Sequence, residues 1–285
     1  MTFQQILQNI KDLKIQGAQK IAVAAVEAFK IKLEEKASQE ELEKSVVDLA
    51  NARATEPALR NSLRYCLKNY QTEKNIAEKV IEYFKNSQKK IIEYGAKKIE
   101  NNMIVQTHCH SSTVTGIIIE AKKQGKNFKV NNTETRPKFQ GRITAEELAN
   151  EGIEVHHFVD SAGRVAMKQA DLFLFGCDAI TSEGRIINKI GTNMLLEFAN
   201  KYNVLTYSCT NSWKFNPETV FGAEEEIEQR NTNEVWENPL KNIIIHNPAF
   251  EPVSPDLMTG IITELGVFKS ESLIEEIRRA YPWLI

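Results

Sequence analysis

The sequence has no closely spaced cysteines, no long apolar run and no signal-peptide pattern. Its four cysteines never form a Cys-x-x-Cys pair, which predicts reduced thiols rather than disulfides or a structural zinc site. No stretch approaches the roughly 18 apolar residues of a membrane-spanning helix. Residues 1–13 lack the basic and apolar regions of a secretory leader. We therefore expect a cytoplasmic protein with no membrane partner.

The sequence also lacks an excess of charge of either sign. Its 36 basic and 38 acidic side chains leave a formal net charge of -2, so direct nucleic-acid binding is not expected. Of the 285 residues, 42% are hydrophobic and 26% are charged, a balance that excludes a disordered chain. This length is enough for one large domain or two modest ones.

The N-terminal third of the sequence has a helical pattern. From Phe3 to about residue 98, apolar residues recur every three or four positions. Ser38 precedes Glu41 by three residues in a capping-box pattern, and Pro57 is suited to the first turn of another helix. We predict a helical N-terminal domain over residues 1–100.

The remainder, residues 101–285, alternates short apolar runs with helical segments. This alternation predicts βαβ units and a Rossmann-like, doubly wound parallel sheet. Capping-box patterns at Thr144 with Glu147 and at Ser272 with Glu275 predict two helix starts. The predicted strands are Met103–Gln106, Phe128–Val130, Ile153–Val155, Leu172–Phe175, Val204–Tyr207 and Ile243–Ile245. Ligands of such sheets bind beyond the carboxyl ends of the strands, where candidate site residues are therefore expected.

The first run leads into Cys109, and Ser111, Ser112 and Thr113 follow at the start of a predicted helix. Unpaired N–H groups and the helix dipole at such a junction favour an anion and lower the pKa of a thiol. The alternative is that the hydroxyl residues only cap the helix and that Cys109 is a small core residue.

Polar clusters follow other runs as well. Asp178 could be a proton-transfer group or a turn residue, and Asn188 with Lys189 could hold a phosphate or be a cap and a surface cation. The segments Glu134–Pro137 and Asp160–Ala162 follow two further runs. Because the carboxyl ends of parallel strands share one edge, we expect all five clusters to face one crevice.

Histidines near the first and third runs could suggest a metal site. They are His108, His110, His156 and His157, and Cys109 lies between the first two. Adjacent residues of a strand point to opposite faces, so these side chains cannot all bind one ion. We predict no metal.

An ordered set of motifs covering nearly the whole chain resembles the superfamily of initiation factor 2B alpha, beta and delta subunits. The superfamily includes methylthioribose-1-phosphate isomerase and archaeal ribose-1,5-bisphosphate isomerase, and the chain is most similar to the latter branch. The motifs are Thr107-His108-Cys109, Glu134-Thr135-Arg136-Pro137 with Gln140-Gly141, Asp160-Ser161-Ala162, Asp178, Asn188-Lys189-Ile190-Gly191-Thr192, Lys214-Phe215 and Asn247-Pro248-Ala249-Phe250.

The resemblance implies an aldose–ketose isomerase that converts ribose 1,5-bisphosphate into ribulose 1,5-bisphosphate without a metal or organic cofactor. Cys109 would be the base, helped towards thiolate by the helix N-terminus, and a partly desolvated Asp178 would be the acid. The eukaryotic regulatory subunits typically lack this pair. The resemblance further implies that the phosphorylated pentose is held by Gln16, Gly17, Ala18, Arg53, Ser111, Ser112, Thr113, Asn188, Lys189 and Lys214.

Two positions depart from the family pattern. Gln16 stands where an arginine usually precedes the Gly-Ala pair, and His110 stands where the isomerases have asparagine. The alternatives are therefore a regulatory subunit that binds translation initiation factor 2 and a sugar phosphate or nucleotide, or a methylthioribose-1-phosphate isomerase. The resemblance also implies a homodimer or a hexamer.

Overall fold

Helices form the N-terminal part of the chain, as predicted. The computed structural model describes residues 1–53 and 55–284. The helices are α1 (Phe3–Lys11), α2 (Ala18–Glu34), α3 (Gln39–Ala52), α4 (Pro57–Asn69) and α5 (Ile76–Ala96). Ser38 and Glu41 form the expected capping box at α3, and Pro57 occupies the first turn of α4. The domain boundary at residue 100 stays a prediction.

Strands and helices alternate through the rest of the chain. The helices are α6 (Ser112–Lys123), α7 (Gln140–Asn150), α8 (Gly163–Met167), α9 (Thr192–Tyr202) and α10 (Ser270–Ala280). The strands are β1 (Ile104–His108), β2 (Lys129–Thr133), β3 (Glu154–Phe158), β4 (Leu172–Phe175), β5 (Ala179–Ile180), β6 (Ile186–Lys189), β7 (Leu205–Cys209), β8 (Phe250–Val253), β9 (Gly260–Thr263) and β10 (Gly266–Phe268).

The main sheet has the strand order β10-β9-β7-β4-β1-β2-β3. Its strands run parallel except for β10, which pairs antiparallel with β9. The chain winds outward from β1 through β2 and β3, and in the other direction through β4, β7 and β9. The predicted Rossmann-like, doubly wound architecture is confirmed, and the winding reverses between β1 and β4, where such sheets bind ligands.

The predicted strand Ile243–Ile245 was wrong. These residues lie in an irregular segment, where Ile244 is 83% exposed. The place beside β7 belongs to β9, whose Ile261 and Ile262 are both 0% exposed. A strand of a covered sheet has its apolar side chains buried by other elements on both faces. An apolar run in the sequence does not show whether such elements will cover it.

Two predicted helix starts were also wrong. Thr144 lies inside α7, whose N-cap is Phe139, and Ser272 lies inside α10, whose N-cap is Lys269. The hydroxyl of Thr144 instead donates to the carbonyl of Cys109. Thr144 thus makes a tertiary hydrogen bond, although the local sequence pattern predicted that its side chain would cap a helix.

A small antiparallel sheet of β5, β6 and β8 lies next to the main sheet. The sequence did not predict it, since β5 has only two residues and β6 pairs with β8, which is distant in the chain. Strand β6 ends with Asn188 and Lys189, so this sheet determines where both side chains lie.

Both faces of the main sheet are covered. Phe173 and Phe175 of β4 belong to the core shared with the N-terminal helices, while Leu172 and Leu174 belong to a second core with α5 and α6. This alternation explains why β4 reads as a continuous apolar run. Within the described residues, every helix is too short or too polar to cross a bilayer.

Candidate active site

A cavity of about 600 Å³ opens beyond the carboxyl ends of β1 and β4. It lies at the reversal of winding and is closed on one side by the N-terminal helices. Every catalytic and substrate-binding residue that the family resemblance implies lines it, and their roles stay predictions. The helices supply Gln16, Gly17, Ala18 and Arg53, and the remaining lining residues of the predicted set are Cys109, Ser111, Ser112, Thr113, Asp178, Asn188, Lys189 and Lys214.

Cys109 follows β1 directly and is half-buried. Its backbone is left-handed, with φ of 65°, a conformation that L-residues adopt rarely. Its N–H donates to Oγ1 of Thr135 at 2.9 Å, and its carbonyl accepts the hydroxyl of Thr144 at 2.9 Å. Two hydroxyls from neighbouring segments therefore hold the cysteine backbone in its unusual turn.

The segments Glu134–Pro137 and Asp160–Ala162 do not line the cavity, contrary to the prediction. The carboxylate of Asp160 accepts the N–H of Thr135 at 2.8 Å and the N–H of Arg136 at 2.6 Å. Glu134–Pro137 follows β2, and Asp160–Ala162 follows β3. These two strands lie at one edge of the sheet, away from the reversal between β1 and β4. The two segments fix the loop that holds Cys109.

Asp178 follows β4 by three residues and is half-buried in the cavity wall. Its N–H donates to the carbonyl of Ile187 at 2.8 Å, which ties it to β6. A Cβ on Gly176 would approach Cβ of Ser111 to 3.2 Å, so glycine allows the end of β4 to pass the start of α6. Burial raises the pKa of Asp178, against the charges of Lys214, Lys189 and Arg53.

The expected lowering of the Cys109 pKa was wrong. Burial raises the pKa of this thiol to about 11, and the carboxyl of Asp178 acts in the same direction. Lys189 and the N–H of His110 favour the thiolate but do not outweigh burial. Helix α6 begins only at Ser112, with Ser111 as its N-cap, so Cys109 lies outside the first helical turn.

Cationic side chains project into the cavity from several elements. Nζ of Lys189 lies 4.5 Å from the ring centroid of Phe250, and Nζ of Lys214 donates to the carbonyl of Cys177. Nη2 of Arg53 lies 3.0 Å from Oε2 of Glu228. Arg53, Lys189 and Lys214 thus come from separate parts of the chain and meet beside Asp178.

Two helices also begin at the cavity. The N-cap of α2 is Gly17, with φ of 90° and no side-chain capping bond, so its first backbone N–H groups are available to an anion. At α6, the hydroxyl of Ser111 accepts the N–H of Val114. The amide of Gln16 donates to the carbonyl of Leu13 at 2.8 Å, which fastens the turn before α2.

His108 connects the end of β1 to the loop that carries Lys189. Its Nε2 lies 2.9 Å from the carbonyl of Ile190, and its Nδ1 lies 2.5 Å from Oγ1 of Thr133. Since a carbonyl only accepts, Nε2 carries the proton and Nδ1 accepts the hydroxyl. Burial lowers the pKa of this imidazole. Among the described residues, no group of three or more His, Cys, Asp or Glu is placed to hold a metal.

Sequence reasoning missed several charged cavity residues, which are Lys14, Lys20, Glu56, Glu147 and Arg230. Glu56 is 3% exposed, and burial raises its pKa to about 8. Arg230 is paired with Glu234 at 2.8 Å. A glutamate directly before Pro57 looks like a turn residue in the sequence, and only the packing of the helices brings it to the strand ends.

Comparison with known proteins identifies related sequences and structures. The model of the initiation factor 2 subunit family matches residues 14–270. The chain is 38% identical to a ribose 1,5-bisphosphate isomerase of Thermococcus kodakarensis, over 99% of this chain and 95% of that protein. It is 31% identical to a methylthioribose-1-phosphate isomerase of Thermoanaerobacter pseudethanolicus, over 94% and 88%. The crystal structure of a translation initiation factor eIF-2B of Pyrococcus horikoshii has a TM-score of 0.84 and 26% identity, covering 95% and 98%.

Proposed function

Because the chain belongs to the initiation factor 2 subunit family, we propose that it is an isomerase that converts ribose 1,5-bisphosphate into ribulose 1,5-bisphosphate. The observation that carries the proposal is the convergence of Cys109 and Asp178 from two adjacent central strands on one cavity. A thiol and a carboxyl on one small cavity are suited to moving protons between neighbouring carbons and oxygens of a sugar. The 38% identical relative bears the name of this activity.

The cavity offers anion-binding groups at more than one place, which favours a substrate with two phosphates. One set is the uncapped start of α2 at Gly17 and Ala18, with Lys20 in its first turn. Another set is Asn188 and Lys189 at the end of β6, together with Lys214. Arg53 lies on the wall that the helices supply. A phosphorylated pentose held at both ends would place its C1 and C2 between the two sets.

The reactive pair requires one proton transfer before the reaction. In the unliganded cavity the thiol of Cys109 is neutral, since its pKa is about 11. Transfer of that proton to the carboxylate of Asp178 creates a thiolate base and a carboxylic acid together. Lys189 and the N–H of His110 favour the thiolate, and burial favours the neutral carboxyl of Asp178.

The isomerisation then balances with these two groups alone. The acid gives its proton to the ring oxygen as the bond from that oxygen to C1 breaks. The thiolate removes the proton from C2, whose electron pair forms the double bond between C1 and C2. The thiol then returns the proton to C1, while the carboxylate accepts the proton of the C2 hydroxyl as the ketone forms. Both groups end as they began.

The direct test is incubation of the purified protein with ribose 1,5-bisphosphate, followed by ³¹P nuclear magnetic resonance. We expect the anomeric phosphate signal to be replaced by that of ribulose 1,5-bisphosphate. A protein that binds the sugar and leaves it unchanged would contradict the proposal. Methylthioribose 1-phosphate serves as the second substrate, because a comparable rate on it would instead favour the monophosphate isomerase.

The likeness to the eIF-2B structure supports a second candidate, a regulatory subunit that binds translation initiation factor 2. A pull-down with that factor, run beside the isomerase assay, separates the two candidates. Factor binding without turnover supports the regulatory subunit, whereas turnover without factor binding supports the enzyme.

We further propose that the protein is a cytoplasmic homodimer or hexamer. This assembly is the one that the family resemblance implies. Light scattering coupled to gel filtration measures the oligomer mass, and fractionation of cells against a cytosolic marker tests the location.

A further inference from the structure

Glu56 is an incompletely bonded carboxyl in the wall of the cavity. It immediately precedes α4 and is 3% exposed. Its Oε1 lies 3.5 Å from Nη2 of Arg53. Its Oε2 is buried and has no hydrogen-bond partner in the part of the chain that the structure describes. Buried polar atoms are nearly always bonded, so this oxygen is suited to a partner that arrives with a ligand.

Charged groups face Glu56 from each element packed around it. Arg53 comes from the end of α3, Lys214 from the 3-10 helix after β7, Asp178 from the loop after β4, and Glu228 from the irregular segment before β8. Burial and the carboxylates of Asp178 and Glu228 raise the pKa of Glu56 to about 8, against the charges of Arg53 and Lys214. The carboxyl is therefore mostly neutral at pH 7 and carries one O–H donor.

We propose that Glu56 is a ligand-contacting residue whose Oε2 donates its proton to an anionic oxygen of the ligand bound beside Arg53. The identity of that ligand, a phosphate of the sugar bisphosphate, rests on the proposed function. Arg53 already contacts Oε2 of Glu228 at 3.0 Å, so the guanidinium alone offers a weakened positive field. A neutral Glu56 adds a donor to an anion, whereas an ionised Glu56 repels it.

This arrangement gives ligand affinity a defined pH dependence. Affinity needs the proton on Glu56, so it is constant while that proton is present and falls as the pH rises above about 8. The fall approaches about tenfold per pH unit, the slope for one proton. The second phosphate pKa of the sugar is about 6, so the ligand itself does not titrate there.

The experiment measures dissociation constants by calorimetry between about pH 7 and pH 9.5. Turnover is prevented by working in a Cys109→Ser background. The probes are ribose 1,5-bisphosphate and sulfate, an anion that does not titrate in this range. With Glu56 present, both dissociation constants should rise above pH 8. With Glu56→Gln, which is neutral at every pH, they should stay within about twofold of one value, since no proton is exchanged.

Glu228→Gln is the matched control, since Glu228 also contacts Arg53. Its removal should tighten binding while Glu56 is protonated and move the onset of the fall to lower pH, because the charge of Glu228 raises the pKa of Glu56, but the slope of about tenfold per pH unit should remain. Equal slopes with Glu56 and with Gln at this position overturn the inference, whether or not the protein is an isomerase. A slope with sulfate that Glu56→Gln abolishes, with no bisphosphate binding, supports the inference while the proposed function fails.

Discussion

Oγ1 of Thr135 accepts the backbone N–H of Cys109 at 2.9 Å, although 26 positions separate the two residues in the chain. Both have left-handed backbones, with φ of 63° for Thr135 and 65° for Cys109. Asp160 in turn accepts the N–H of Thr135. The position of the thiol thus depends on a chain of hydrogen bonds that runs through the loops after β2 and β3.

Replacement of Thr135 by valine should lower kcat/KM. Valine has the shape of threonine but cannot accept the N–H of Cys109, and an unpaired buried N–H costs about 1–3 kcal/mol. Because the lost hydrogen bond positions the backbone of Cys109, we expect kcat/KM to decrease by about tenfold or more. Steady-state kinetics with ribose 1,5-bisphosphate measures the decrease.

Thr135→Ser is the control, because serine keeps the hydroxyl. It should retain most of the activity. If serine and valine reduce kcat/KM equally, the hydrogen bond to Cys109 does not position the thiol.

Cys109→Ser should abolish turnover and leave binding close to that of the wild type. A serine hydroxyl is a much weaker acid than a thiol, so it cannot supply the base that removes the C2 proton. Loss of one proton-transfer group lowers the rate by about 10² to 10⁴. Single-turnover kinetics and calorimetry measure the two effects separately. A serine variant that isomerises at the wild-type rate would show that another group is the base.

The reactivity of Cys109 towards iodoacetamide should be low at pH 7 and increase up to about pH 11. Only the thiolate reacts, and with a pKa of about 11 the thiolate fraction rises about tenfold per pH unit below that value. Peptide mass spectrometry distinguishes Cys109 from the buried Cys66, Cys177 and Cys209. A rate that levels off below pH 8 would contradict the raised pKa.

Two charge variants test whether neighbouring charges control the ionisation of Cys109. Lys189 favours the thiolate, so Lys189→Met should slow alkylation at a given pH. Asp178 opposes the thiolate, so Asp178→Asn should accelerate it. Shifts in the same direction for both variants would mean that local unfolding, rather than charge, controls the reaction.

Glu264→Gln should lower both stability and the affinity for phosphate. Oε1 of Glu264 accepts the hydroxyl of Tyr83 at 2.8 Å and that of Tyr281 at 3.0 Å, and Oε2 accepts the N–H of Ser212 at 3.0 Å. Ser212 begins the 3-10 helix that ends at Lys214. An amide nitrogen in place of one oxygen turns an acceptor into a donor, at a cost of about 2–4 kcal/mol.

Urea unfolding and KM for the bisphosphate measure the two effects. Tyr281→Phe removes a single hydrogen bond, so its loss of stability should be about 1 kcal/mol, with KM nearly unchanged. If Glu264→Gln lowers stability while KM stays constant, Lys214 does not depend on this contact.

The sequence predicted the sheet well where burial is continuous. In Leu172–Phe175 all four side chains are buried, so an apolar run and a strand coincide. Cys109 and Asp178 were identified because each follows such a strand, and their common cavity follows from the strand order. By contrast, Ile243–Ile245 has the composition of a strand, but within residues 1–53 and 55–284 it pairs with no strand, which local composition does not reveal.

Long-range packing explains the rest of what the sequence could not predict. Nδ2 of Asn61 on α4 donates to the carbonyls of Trp213 and Phe215, each at 2.8 Å. These bonds hold the start of α4, and therefore Glu56, next to the segment that carries Lys214. No local pattern encodes such a contact. The raised thiol pKa likewise depends on enclosure by distant segments, whereas the helix N-terminus is visible in the sequence.

His108 directly precedes Cys109, and its imidazole bonds to the backbone carbonyl of Ile190, which directly follows Lys189. A displacement of that loop by an arriving phosphate would therefore be transmitted to Cys109 through a single aromatic ring. Chemical labelling of the sulfur could then serve as a gauge of whether the lysine is occupied, even for ligands that never react.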